Sequence, residues 1–189
     1  AGGSGVGHSF DISEGFLVVM QHPVTTEHAA AAEQAEKTLH AIHHMDMPSF
    51  WFWPNVDAGS DATSAAIRRH REKYDLNHIY FLKNLSPENF LRLLKLSRCI
   101  IGNSSVGIRE CSFMGVPTVN IGSRQKRRER AGNVLDVDHD EKAIIGAIEK
   151  HLISGKFPSS ELYGDGNAGK RMVEILTTIQ PNHDKQIMY

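Results

Sequence analysis

Short apolar segments alternate with helical segments along most of this 189-residue chain, and this alternation limits the folds available to it. The segment "GFLVVMQ" (15–21) is continuously apolar, which is typical of a strand covered on both faces. Further strands are predicted at 49–55, 78–84, 99–103, 117–122 and 133–137. Helices are predicted at 26–45, 60–74, 86–98 and 105–115, and near 139–153 and 168–180. The pattern predicts an α/β domain with a doubly wound, mainly parallel sheet.

Composition and charge narrow the classes of protein and partner. Hydrophobic residues make up 40% of the chain and charged residues 23%, as in a folded globular protein. The net charge of −1 provides no field to attract nucleic acid or anionic lipid, so we expect neither as a partner. No apolar run reaches the roughly 18 residues of a membrane span. Cys99 and Cys111 fall on predicted buried elements, which favours free thiols in a reducing, cytoplasmic setting over a disulfide.

The two ends of the chain differ from the alternating region. Residues 1–13 begin with "AGGSGVGHS", which is small, flexible and aperiodic, so they are interpreted as a linker or a remnant of cloning. Its G-x-G spacing is not followed by a helix, so it is not taken as a nucleotide motif. Residues 14–180 are predicted to form the domain, and residues 181–189 a C-terminal tail.

Polar residues follow nearly every predicted strand. In parallel α/β sheets, ligands bind at the carboxyl ends of the strands. Hydrogen-bonding groups, a histidine and basic side chains stand there, in the segments 21–22, 55–57, 83–84, 102–105 and 122–125. This set of groups suits an anionic ligand rich in hydroxyls.

The segment "IGNSSVGIRE" (101–110) has the composition of a phosphate-binding loop. Ser104 and Ser105 precede a predicted helix whose first N–H groups are unpaired and carry partial positive charge. Gly107 would leave room for the phosphate, and the Glu110 carboxylate can accept bonds from both hydroxyls of a neighbouring ribose. The alternative is that Asn103 and the serines only cap this helix, with Glu110 on a solvated face.

Three further residues are candidates for binding or catalysis. His22 follows a strand directly and titrates near neutrality, so it can act as a general acid or pair with a diphosphate. Arg124 and Arg128 can bind phosphate oxygens. A structural role for His22 and a solvated basic loop for "SRQKRRER" (123–130) remain open.

His40 and His44 have the i,i+4 spacing of metal ligands on a helix. They lack the glutamate of an HExxH motif, so an exposed histidine-rich surface is favoured over a metal site. No metal and no cofactor are expected.

Five motifs in order resemble those of the UDP-N-acetylglucosamine 2-epimerases: "QHPVTTE" (21–27), "PNVDAGS" (54–60), "IGNSSVGIRE", "GVPTVNIGSRQ" (115–125) and "YGDGNA" (163–168). The form of the first motif resembles the hydrolysing branch, which feeds sialic acid and related nonulosonic acid synthesis. The resemblance covers residues 14–180 and implies the Rossmann-like C-terminal half of a two-domain GT-B fold. It implies UDP and UDP-N-acetylhexosamine as ligands and a homo-oligomer when the protein is full length.

The resemblance also implies roles for individual residues. Ser104 and Ser105 would contact the diphosphate and Glu110 the ribose. The backbone of Leu85 would meet uracil. Asn55, Arg124 and His22 would line the sugar-diphosphate region, and His22 would assist the departure of UDP.

The family reaction removes the C2 proton, eliminates UDP and adds water to give N-acetylmannosamine. Two carboxylates of that reaction belong to the N-terminal domain, which is missing from this chain, so the chain alone is predicted to bind UDP without turnover. A diacetamido-trideoxy sugar is an alternative substrate. The alternative functions are half of a GT-B glycosyltransferase and a non-catalytic nucleotide-sugar sensor.

Overall fold

The structure, a computed structural model, describes residues 5–54 and 58–180. Seven strands form one sheet, and they are β1 (Gly5–Val6), β2 (Leu17–Met20), β3 (Ser49–Phe52), β4 (Ile79–Leu82), β5 (Cys99–Gly102), β6 (Thr118–Ile121) and β7 (Val134–Val137). The helices are α1 (Ala31–Met45), α2 (Ser60–Lys73), α3 (Pro87–Leu96), α4 (Ser105–Ile108), α5 (Glu110–Met114), α6 (Glu141–Ser154) and α7 (Ala168–Thr178). A 3₁₀ helix, Thr25–Ala30, precedes α1.

The strand order is β1-β4-β3-β2-β5-β6-β7, and every pair except β1 with β4 is parallel. From β4 to β7 this is the doubly wound order of Rossmann folds, so the predicted fold class is confirmed. The order reverses between β2 and β5, where ligands bind in such sheets. The loops after β2 and β5 are therefore the expected place for a site.

Both faces of the sheet are covered, which explains why its strands are continuously apolar. On one face, Leu17 and Val19 belong to a core that includes Leu39 of α1 and Ile148 of α6. On the other face, Val18 belongs to a second core with residues of α3, α4 and α5. Because successive side chains of a strand point to opposite faces, β2 can contribute to both cores.

Part of the predicted linker is structured. Gly5 and Val6 pair with Phe81 and Leu82 as an antiparallel edge strand. A Cβ added at Gly5 would lie 2.2 Å from the Tyr80 ring, so the small residue permits this pairing. Residues 5 and 6 of the segment interpreted as a linker thus belong to the sheet, while residues 1–4 and 181–189 lie outside the described residues.

Two predicted helices are interrupted. The helix predicted from residue 26 begins instead as a 3₁₀ turn, with Glu27 in a non-helical conformation, and becomes α-helical at Ala31. The helix predicted at 105–115 is divided at Arg109, whose φ of −92° and ψ of −75° end α4 after one turn. The sequence predicts neither break, because local periodicity does not report the tertiary contacts that bend the backbone.

The prediction that the two cysteines are free thiols is confirmed. Cys99 and Cys111 are buried and unpaired with each other. Burial raises the pKa of Cys99 well above its usual range and that of Cys111 to about 12. Both thiols are therefore protonated packing groups at neutral pH.

Candidate functional site

Asn103, at the end of β5, joins the loop after β2 to its own loop. Its side-chain oxygen accepts the His22 N–H at 2.8 Å, and its side-chain nitrogen donates to the His22 carbonyl at 2.7 Å. Both residues are buried. The side chain thus pairs with the His22 backbone as a neighbouring strand would, and it continues the contact between β2 and β5 beyond their last ladder bonds.

The loop after β6 reaches the same residue. Arg124 Nη1 and Gln125 Nε2 both donate to the Asn103 carbonyl oxygen, at 3.1 and 2.8 Å. We call Asn103, the His22 backbone, Arg124 and Gln125 the Asn103 cluster. It brings three strand-end loops together at the crossover of the sheet, including two of the predicted site residues, His22 and Arg124.

Gly102 makes this arrangement possible. Its φ of +130° is unfavourable for a residue with a side chain, and an added Cβ would lie 2.2 Å from the Met20 carbonyl oxygen. A larger residue there would push β5 away from β2 at the point where the cluster begins.

The predicted phosphate loop lies next to Asn103. Ser104 caps α4, its hydroxyl accepting the Val106 N–H at 3.5 Å, and Ser105 is the first helical residue. Both serines are partly exposed, whereas Val106 is buried. Capping by Ser104 is the alternative function of this loop, and the structure contains it. The Gly107 N–H also bonds within the turn, to the Ser104 carbonyl at 3.3 Å.

Gly107 has a packing role that the sequence does not predict. A Cβ there would lie 2.6 Å from Thr118 Cγ2, so the glycine lets α4 pack closely on β6. The Gly107 carbonyl accepts from Thr118 Oγ1 at 2.9 Å and from Asn133 Nδ2 at 3.3 Å. Thr118 and Asn133, which sequence reasoning missed, therefore fix the height of α4 above the sheet.

Glu110 is partly exposed, as a ligand-binding carboxylate requires. It borders a cavity of about 540 Å³ between α3, α5 and the 160–166 loop, which Phe113 and Tyr163 also line. The "YGDGNA" motif therefore lies beside Glu110, although 53 residues separate Tyr163 from it along the chain.

Three other predicted site residues, Leu85, Arg128 and Asn55, are not part of the Asn103 cluster. Leu85 is partly exposed, and its N–H donates to Asn84 Oδ1 at 2.9 Å. Arg128 is exposed, four residues beyond Arg124. Asn55 lies outside the described residues.

A second acidic residue at the strand ends was not predicted. Glu27 accepts hydrogen bonds from Ser123 Oγ and from Gln34 Nε2, the latter at 2.8 Å. No local signal identifies it, because Ser123 is distant in sequence and Glu27 resembles an ordinary first-turn acid.

The histidines of α1 are packed rather than fully exposed. The His40 ring lies 4.8 Å from the His70 ring of α2, and His44 alone of the predicted pair is exposed. Within residues 5–54 and 58–180, no three His, Cys, Asp or Glu side chains are arranged to hold a metal ion. Across the same residues, no helix combines the length and apolarity of a membrane span.

A family model described as UDP-N-acetylglucosamine 2-epimerase matches residues 6–177. The chain therefore belongs to the UDP-N-acetylglucosamine 2-epimerase family, as its motifs predict.

Three proteins are similar to this chain, two in sequence and one in fold. The chain is 31% identical to a UDP-N,N'-diacetylbacillosamine 2-epimerase (hydrolyzing) of Legionella pneumophila, over 94% of this chain and 46% of that protein. It is 30% identical to a UDP-N-acetylglucosamine 2-epimerase of Neisseria meningitidis, over 86% of this chain and 43% of that protein. Its fold matches the Methanocaldococcus jannaschii UDP-GlcNAc 2-epimerase in complex with UDP-GlcNAc and UDP, with a TM-score of 0.66 and 20% identity over 86% and 44% of the two chains.

The chain spans about half the length of the curated relatives that it matches. It has the fold of the C-terminal half of these GT-B-like proteins.

Proposed function

We propose that the chain is the UDP-binding half of a hydrolysing 2-epimerase acting on a UDP-N-acetylhexosamine. The observation that most supports this function is the Asn103 cluster, which joins three strand-end loops at the crossover of the sheet. The names of the relatives supply the reaction class, and the "QHPVTTE" form supports the hydrolysing outcome. The product would feed sialic or related nonulosonic acid synthesis in the cytoplasm.

The diphosphate would lie against the loop at residues 104–106. The Ser104 and Ser105 hydroxyls and the backbone N–H groups of the turn donate to phosphate oxygens. Because α4 is only one turn long, this binding rests on local N–H groups rather than on the dipole of a long helix. Arg124 would add positive charge from the loop after β6, and Arg128 a second, more distant cation.

The nucleoside would extend from the diphosphate toward α5. The Glu110 carboxylate would accept from the two ribose hydroxyls. At Leu85, the N–H is engaged by Asn84, so a uracil contact would use the Leu85 carbonyl oxygen, which can accept from the base's N3–H group.

His22 would assist the departure of UDP. Asn103 bonds the His22 backbone, and His22 is only 4% exposed. Buried contacts therefore hold this residue in position. Negative charge develops on the diphosphate as the bond to the sugar breaks, and fixed donors and cations stabilise that charge without reorganising. Asn55 is assigned to the same sugar-diphosphate region.

A second domain would complete the enzyme. The face of α7 carries Met172, Ile175 and Leu176, which are 58–72% exposed, and such a cluster is typical of a surface covered by another part of a protein. The missing N-terminal domain would cover it and supply the two carboxylates that move the C2 proton. The full-length protein would form a homo-oligomer.

Calorimetric titration with UDP tests the binding assignment. Replacing Glu110 with alanine removes two hydrogen bonds to a charged acceptor, so the Kd for UDP should rise about tenfold or more. Glu149→Ala, on the exposed face of α6, is the matched control and should leave the Kd unchanged. Equal affinity of Glu110→Ala and the unchanged chain would refute the ribose assignment.

An activity assay tests whether the reaction requires both halves of the protein. The chain alone, incubated with UDP-N-acetylglucosamine, should release no UDP, whereas the full-length protein should release it. The same assay with UDP-diacetylbacillosamine decides between the two sugars. Clear turnover by the chain alone would contradict the proposal.

A further inference from the structure

Glu27 interrupts the helix that its sequence predicts. Its φ of −122° and ψ of 20° lie outside the helical region, within the 3₁₀ segment that precedes α1. Its N–H donates to the Val24 carbonyl at 2.8 Å. The backbone is thus bent at this residue, and the bend leads the chain from the His22 loop into α1.

Both oxygens of the Glu27 carboxylate accept hydrogen bonds. Oε1 accepts from Ser123 Oγ, in the loop after β6, and Oε2 accepts from Gln34 Nε2 of α1 at 2.8 Å. The bond to Ser123 lowers the pKa of Glu27 most, followed by the bond to Gln34. Burial raises this pKa by less than the two bonds lower it, and the positive charge of Lys126 lowers it further, so the carboxylate is ionised at neutral pH.

Ser123 controls the position of the basic residue next to it. The Ser123 carbonyl accepts the Lys126 N–H at 2.9 Å, which closes a turn containing Arg124. Arg124 in turn donates to the Asn103 carbonyl at 3.1 Å. The loop after β6 is therefore held at two points, by Glu27 at the start of the turn and by Asn103 at the arginine.

We propose that Glu27 is a positioning residue that sets the location of Arg124 through Ser123, and thereby the strength of diphosphate binding. Glu27 contacts no ligand in this scheme. Its carboxylate fixes the first residue of the turn, so that the guanidinium stays at the mouth of the Ser104–Ser105 loop rather than moving with solvent. The effect on binding rests on the proposed function, whereas the effect on the loop does not.

Amide hydrogen exchange without any ligand tests the structural half of this proposal. The Lys126 amide reports whether the turn from Ser123 is closed. Its exchange should accelerate about tenfold in Glu27→Ala, because a hydrogen bond to a charged group is lost. Glu27→Gln retains an oxygen that can accept from Ser123 and should show an intermediate rate. Glu33→Ala, an exposed acid of α1 paired with Lys37, is the matched control and should show no change.

Unchanged exchange at Lys126 in Glu27→Ala would overturn the proposal. Thermal unfolding of each variant shows whether it is folded. If Glu27→Ala does not fold, Ser123→Ala removes the same bond from its other end, and the same acceleration is expected there.

A double-mutant cycle tests the consequence for binding. Glu27→Ala should raise the Kd for UDP about fivefold to tenfold in the unchanged chain, but less than about twofold when Arg124 is already alanine. A general loss of stability would weaken binding equally in both backgrounds, and that result would overturn the positioning role. If the unchanged chain does not bind UDP, the proposed function fails, while the exchange of Lys126 still decides whether Glu27 holds the turn.

Discussion

Two polar clusters among the described residues contrast in how their polar atoms are satisfied. In the Asn103 cluster, both side-chain polar atoms of Asn103 and its carbonyl oxygen are hydrogen-bonded, and Gln125 Oε1 is its one buried side-chain atom without a partner among the described residues. In the histidine cluster, which we define as His40, His43, His70 and His78, rings pack against one another between α1 and the segment 70–78. His43 Nδ1, His70 Nε2 and His78 Nε2 are buried there without a hydrogen-bond partner among the described residues.

The difference shows what each cluster contributes. A fully satisfied polar group fixes the position of its partners, and the Asn103 cluster fixes three loops of the proposed site. A buried ring nitrogen without a partner resists protonation, because the charged form loses hydration and gains nothing. The histidine cluster therefore makes packing sensitive to acid through His70, whereas the Asn103 cluster holds three loops in a fixed relative position.

The largest effect is expected from removing the Asn103 side chain. Asn103→Ala removes the two hydrogen bonds that this side chain makes to the buried His22 backbone, which costs about 2–5 kcal/mol of unfolding free energy. Urea unfolding measures this loss. Asn77→Ala, at an exposed residue bonded to Asp75, is the control and should change stability by less than about 0.5 kcal/mol. A loss no greater than the control's would mean that the contrast between the clusters is wrong.

Acid should weaken packing through His70, which is 5% exposed. Burial, followed by charge at His40 and His43, lowers the pKa of His70 from 6.5 to about 4, while Glu36 raises it and Lys73 lowers it. The unfolded chain therefore binds more protons, so the stability present above pH 6.5 is lost as the pH falls toward 4. Between pH 7 and pH 5 the loss attributable to His70 is about 2 kcal/mol.

Comparison of two phenylalanine variants isolates this effect. His70→Phe removes the titrating group, so its unfolding free energy should fall less between pH 7 and pH 5 than that of the unchanged chain. His44→Phe replaces an exposed histidine of α1 and should keep the full pH dependence. If both variants lose the same stability, protonation of His70 does not destabilise the fold.

The smallest effect is expected from adding a methyl group beside the Asn103 cluster. Gly107→Ala would place its Cβ against Thr118 and should cost about 1–2 kcal/mol. Gly146→Ala, in α6 with open space around it, should instead stabilise by about 0.5–1 kcal/mol. Thermal unfolding compares the two, and a stabilised Gly107→Ala would show that α4 can move away from β6.

The sequence predicts the sheet well because its evidence is local. Continuous apolar runs at β2 and β5 and the capping serine of α3 at Ser86 are each identifiable within a few residues. The family motifs likewise identify strand ends at which Ser104 and Arg124 lie.

The contacts that organise the site are not local. The sequence offers Asn103 as a possible helix cap, but its side chain bonds His22, 81 residues away. The sequence predicts an uninterrupted helix through Glu27, but this residue bonds Ser123, 96 residues away. A polar residue at a strand end is expected to have a hydrogen-bond partner. Only the folded sheet determines which residue that partner is.

Mapping UDP by amide chemical shifts on the isotope-labelled chain tests the nucleotide site most directly. The largest changes should fall on residues 104–107 and Glu110, with smaller ones at His22 and Arg124, because a pyrophosphate alters the fields at the amides that bind it. Saturating UDP that leaves 104–110 unchanged, or that shifts the amides of α6 instead, would contradict this location.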